Sequence, residues 1–164
     1  MKYLSLMAIV ITFCSCSGLK QFEEKPECPK GYECYAEIED NKSIKAMEDT
    51  TGKTYLTLEQ SKRYTVIKYN FHYKGVPEIA DDSYRETIYL QIPSSTNKIE
   101  LVDEDLAEVK LFIQKSCFCP DAGYEAIRNG KLQLKKQKGE IHLNLNFETE
   151  KRVKLSTVKT KIEI

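Results

Sequence analysis

Between Glu140 and Glu148 every second residue is apolar: Ile141, Leu143, Leu145 and Phe147 alternate with His142, Asn144, Asn146 and Glu148. A period of two puts the first set on one side of an extended chain and the second set on the other, so the segment predicts a half-buried strand. The pattern recurs along the chain. Ile67, Tyr69, Phe71 and Tyr73 share one parity against Lys68, Asn70 and His72, Ile88, Leu90 and Ile92 do so within Tyr84 to Ile92, and Val109, Leu111 and Ile113 follow. Leu132 and Leu134 pair with the 140s segment across Gln137-Lys138-Gly139-Glu140, a hairpin signal in which Gly supplies a positive φ. Shorter strands are expected over Tyr35 to Glu39, Ser43 to Met47, Tyr55 to Leu58 and Ile99 to Val102. Val153 and Leu155 are out of phase with Val158, Thr160, Ile162 and Ile164, which predicts a bulge or kink near Ser156-Thr157. Only Glu104 to Glu108 reads as a helical turn. The chain is therefore all-β: an antiparallel β-sandwich of roughly eight to ten short strands, with a small β-barrel as the alternative.

Charge narrows the function classes. The 164 residues carry 25 Lys plus Arg against 25 Asp plus Glu, without the basic face that phosphate contacts require, so nucleic-acid binding is not expected. A 41% apolar and 30% charged composition with no recurring period fits one soluble domain and excludes a solenoid or a disordered chain.

The N-terminus carries an address. Met1-Lys2 is followed by an apolar run from Tyr3 to Phe13, of signal-peptide length and too short for a bilayer span of roughly 20 residues. With Phe13-Cys14-Ser15-Cys16-Ser17-Gly18 after it, this start resembles the bacterial lipoprotein signal. The resemblance implies cleavage before a lipidated Cys16, because Ser15 fits a small peptidase pocket; Cys14 as acceptor would put bulky Phe13 beside the cut. An ordinary secretory signal cut nearby is the rival reading. The implied division is a signal peptide over 1–15, the lipidated Cys and a polar tether over 16–27, and a single β-sandwich domain over 28–164. The tether of 11 residues after Cys16 extends at most about 40 Å. The implied location is the bacterial cell envelope, on the periplasmic or surface side, most simply of the outer membrane, with the lipid as the membrane contact.

Four cysteines remain in the mature chain: Cys28, Cys34, Cys117 and Cys119, an even number in an exported protein. Cys117 and Cys119 lie two residues apart, a ring too tight for relaxed disulfide geometry. The expected bonds therefore cross, each of Cys117 and Cys119 joining one of Cys28 and Cys34 and closing a loop that stabilises by roughly 4 to 5 kcal/mol. A Cys₄ or soft-metal site is the alternative, with spacings unlike those of structural zinc.

The lipoprotein-type signal, Cys28-Pro29-Lys30-Gly31-Tyr32-Glu33-Cys34 after the tether, and Cys117-Phe118-Cys119-Pro120-Asp121-Ala122-Gly123-Tyr124 leading into Gly130-Lys131-Leu132 together resemble small bacterial lipoproteins. The resemblance implies lipidation and a disulfide-stapled β domain, and it brings no activity.

No nucleophile elbow, zincin helix, dinucleotide fingerprint or phosphate loop is present. His72 and His142 fall on the wet parity of their strands, where a weak two-His metal site is the functional reading and plain surface residues the structural one. Asp81-Asp82 and Asp103-Glu104-Asp105 lack the calcium-loop pattern and read as turns. Tyr64, Tyr69, Tyr73, Tyr84 and Tyr89 read as core and cross-strand partners more than as a ligand face. Ala122-Gly123-Tyr124 reads as a turn. The expectation is a non-catalytic envelope module, without cofactor or bound metal, that meets a protein or glycan partner through Phe118 and Tyr124, unless these two residues merely close the end of the sandwich. An inhibitor of a secreted hydrolase and a metal-handling lipoprotein using Cys117 and Cys119 are the alternatives.

Overall fold

The alternations become nine strands among the described residues: β1 (Glu33–Glu48), β2 (Thr54–Tyr73), β3 (Tyr84–Pro93), β4 (Lys98–Val102), β5 (Lys110–Ser116), β6 (Gly123–Ala126), β7 (Asn129–Gln137), β8 (Glu140–Glu148) and β9 (Thr157–Glu163). This computed structural model describes residues 28–164 apart from 74, 77, 78 and 80. The expected signal segment, Cys14, Cys16 and the tether lie outside the described residues. One antiparallel sheet has the order β1-β2-β3-β5-β6 and the other the order β4-β7-β8-β9. Both sheets end in open edges, so the architecture is the two-sheet sandwich and not the closed barrel.

The inward parities meet between the sheets. Ile67, Tyr69, Phe71, Ile88, Leu90, Ile92, Leu111 and Ile113 face Leu132, Leu134, Ile141, Leu143, Leu145, Phe147, Val158 and Ile162 in one continuous core. Each such aliphatic or aromatic side chain stabilises the fold by roughly 1.5 to 3 kcal/mol relative to exposure. Leu106, on the short 3₁₀ helix Asp103–Glu108, packs into the same core, so the expected helical turn exists and is used to seal the sandwich.

Two glycine positions, one in the turn and one in β7, set the register of β7 and β8. Lys138 (φ 52°) and Gly139 (φ 82°) make the two-residue link, a left-handed pair that matches the strand twist. Gly130 has φ 139°, and a Cβ there would lie 2.1 Å from the Asn146 carbonyl oxygen, so no other residue fits opposite Phe147.

The first hairpin is longer than its pattern suggests. The segments Tyr35 to Glu39 and Ser43 to Met47 are one strand, interrupted by a register shift between Asp40 and Lys42, where Asn41 takes φ 57°. The shift re-aims the distal half of the hairpin across the outer face of the five-stranded sheet. There Gln91 Oε1 accepts from the Ile44 amide at 2.6 Å and Lys110 Nζ donates to the Ile44 carbonyl at 2.5 Å. Ile44 and the outward-facing Val66 are both buried as a result.

Two expectations fail. Gly123–Ala126 is an edge strand, not a turn: Tyr124 pairs with Gln114 and Ala126 with Phe112, and four residues are too few to carry a period. Val153 to Leu155 form no strand, because the amides that a neighbouring strand would engage are taken by a carboxylate from the opposite sheet.

Candidate functional site

Cys34, Phe71, Glu86 and Lys115 are successive partners across β1, β2, β3 and β5, in a row on the inner face near one end of the sandwich. Three strand spacings of about 4.8 Å put the ends of that row about 14 Å apart, beyond the roughly 7 Å that a disulfide spans. The crossed pairings expected from the sequence are not formed. The sulfurs pair locally, Cys28 with Cys34 and Cys117 with Cys119, at Cα separations of 5.6 and 5.3 Å. Both cross-links sit at the same end.

Between them lies a polar latch. Glu86 is fully buried on the parity of Ile88 and Leu90. Its oxygens accept from the Lys154 amide at 2.6 Å, the Leu155 amide at 2.7 Å and the Tyr84 hydroxyl. Burial and the bond to Glu86 raise the Tyr84 phenol above its ordinary range. Lys115, also buried, donates to both Asp121 oxygens at 2.9 and 2.8 Å and to the Arg152 carbonyl at 2.7 Å. That ammonium holds the Asp121 carboxyl below its ordinary value. Glu125 adds two bonds, from the amides of Glu150 and Lys151. The connector over 149–156 is thus fastened to the opposite sheet.

Beside the latch the two sheets part in a cleft of about 350 Å³. Pro29, Tyr32, Cys34, Tyr69 and Phe71 form one wall, and Lys154, Leu155, Ser156 and Thr157 the other. Tyr32 stacks on Phe71 at 4.4 Å and leans on Tyr73 at 5.4 Å. The Lys154 ammonium bonds to the Tyr32 hydroxyl and stands 4.9 Å from the Tyr32 ring and 4.5 Å from the Tyr84 ring. The Cys28–Cys34 bond closes the loop that carries Tyr32.

The residues singled out from sequence are distributed differently. Phe118, at the tip of the Cys117–Cys119 loop, is 88% exposed. Tyr124 is half-buried on β6, its ring 6.0 Å from that of Tyr89, so the two residues are not one patch. His72 and His142 belong to opposite outer faces and cannot share an ion; His142 Nε2 lies 3.1 Å from a Glu140 oxygen. Asp82 accepts from the Val76 amide, a contact within one loop, and Asp103 from the Gly130 amide, which ties the start of the 3₁₀ helix to β7. Among the tyrosines, Tyr69 is core, Tyr73 is in the aromatic stack and Tyr64 lies under the Arg63 guanidinium. Burial is the main reason that the Tyr89 phenol is pushed up to about 12. No group of three or more metal-ligating side chains converges among the described residues.

Sequence reasoning passed over Tyr32, Lys154, Glu86, Lys115 and Asp121. For Glu86 and Lys115 a signal existed: each is a charge on the apolar parity of its own strand. The chain matches no protein-family model, no curated protein and no solved structure.

Proposed function

We propose that this chain is a non-catalytic binding module of the bacterial cell envelope, tethered by a lipid on Cys16, and that it meets a protein or glycan partner through Phe118. The observation that carries the reading is the 88% exposure of Phe118 on a loop closed by its own disulfide and braced by the Lys115–Asp121 pair. A large aromatic ring held in water on a preorganised loop has little ordering left to lose on binding. Aromatic anchors of this kind dominate interface energetics.

The test is photo-crosslinking in cells, with the full-length chain carrying a photoreactive residue at position 118 and, as a control, at the exposed Lys161 on β9. A discrete adduct at 118 and none at 161 supports the reading, and mass spectrometry of the adduct names the partner. Equal labelling at the two positions overturns it.

A further inference from the structure

The cleft between Tyr32 and Lys154 has a composition that none of the features above uses. Its lining contains one cation, Lys154, and no carboxylate. Lys154 makes no ion pair among the described residues; its one side-chain hydrogen bond is to the Tyr32 hydroxyl, which leaves two of the three ammonium donors. The buried Glu86 carboxylate of this corner is already engaged by three donors. At the bottom of the cleft stands Tyr69, only 5% exposed, whose hydroxyl has no hydrogen-bond partner among the described residues. That hydroxyl opens onto the cleft, so water or a ligand there is its available partner. The rest of the wall is apolar or aromatic: Phe71, Leu155 and the ring of Tyr32.

We infer that this cleft binds a small amphipathic carboxylate, its apolar body between Phe71 and Leu155 and its acceptor oxygens served by the Lys154 ammonium and the Tyr69 hydroxyl. An unpaired cation selects an anion, and a hydroxyl opening onto the same cleft offers a donor to an acceptor. Apolar walls with a few convergent polar groups, at this volume, are the usual form of a small-molecule site. A neutral analogue of the same shape leaves the ammonium without a counter-charge, so discrimination rests on the head group. The site is separate from Phe118 and is tested with Phe118 intact.

The experiment uses the full chain and three probes, octanoate, phenylpropionate and the neutral octanamide, with binding followed by NMR of the aromatic and methyl signals. Saturable shifts at Tyr32, Phe71 and Leu155 are expected with the two carboxylates. Octanamide binds about tenfold more weakly, the worth of a charge-assisted hydrogen bond. Lys154→Met weakens octanoate by about tenfold, and Tyr69→Phe, which removes only the hydroxyl, by several-fold. Both variants are checked by thermal unfolding. Octanamide binding as tightly as octanoate, unchanged octanoate affinity in folded Lys154→Met, or no saturable shift at these residues overturns the inference.

Discussion

Glu86 and Lys115 are direct partners across β3 and β5, opposite charges both buried on the apolar face, and each reaches the backbone of the same distant connector. Glu86 takes the amides of Lys154 and Leu155, and Lys115 takes the Arg152 carbonyl and Asp121. The pair acts as a backbone clamp, with a carboxylate for two connector amides and an ammonium for a connector carbonyl.

Removing one jaw leaves buried groups unsatisfied. Glu86→Ala orphans two amides and the Tyr84 hydroxyl, and the expected loss is about 3 kcal/mol in urea unfolding. Glu86→Gln keeps an acceptor oxygen and loses less. A change below about 0.5 kcal/mol for the alanine variant would show that water replaces the clamp without cost.

Acid should weaken the contact between Asp121 and Lys115. Its carboxyl is held below the ordinary 3.8 by the Lys115 hydrogen bond, so the unfolded state binds the proton more readily than the folded state. The contribution is complete above the unfolded value and fades as pH falls from 3.8 through the lower folded value. Asp121→Asn should flatten the stability curve in that window, and an unchanged slope there would remove Asp121 from the account.

Local cross-links make a quantitative statement about reduction. Loops of this shortness are worth about 2 kcal/mol each in the chain-entropy model, against roughly 4 to 5 kcal/mol for crossed ones. Peptide mapping without reductant should recover Cys28 joined to Cys34 and Cys117 joined to Cys119. Reduced protein should stay folded with a lowered melting temperature. A mixed fragment containing Cys28 and Cys119 would contradict the structure.

Lipidation is read at the mature N-terminus. Mass spectrometry of envelope protein should find an acylated Cys16, and Cys16→Ala should move the chain from the membrane to the soluble fraction. An unmodified N-terminus further along the chain refutes the anchor.

Phe118 and Tyr124 are expected to part company when substituted. Phe118→Ser should leave the melting temperature unchanged, since the ring is already in water, while lowering recovery of the partner that the position-118 adduct identifies. Tyr124→Ala removes the contact to Tyr89 and should cost about 1 kcal/mol. Equal destabilisation by both would return Phe118 to the core.

What the sequence made legible depended on period. Leu143 and Ile88 announce their strands because their neighbours alternate cleanly, and the Lys138-Gly139 turn announces itself through glycine chemistry. The β6 edge is silent, since Gly123 to Ala126 spans only two periods and its residues do not alternate clearly between apolar and polar. The shift at Asn41 is silent as well, because a bulge is a relation between two strands and not a property of one. Cysteine connectivity was misread for the same reason: nothing in the spacing of Cys34 and Cys117 says that β2 and β3 come between them. Lys154 and Tyr69 meet at one cleft only through the packing of two sheets, which no local pattern encodes.

The fastening of the connector also bears on self-association. β9 is an edge strand joined to β8 by residues 149–156, and an edge strand on a free linker is the element that two copies exchange most readily, each donating it to the other's sheet. Such an exchange needs the linker to straighten into a hinge. Here Glu125, Lys115 and Glu86 hold that hinge at Glu150, Lys151, Arg152, Lys154 and Leu155, so β9 is kept on its own molecule. The clamp therefore opposes exchange of β9 between copies, and a clamp-deficient chain concentrated before folding should yield reciprocally swapped dimers.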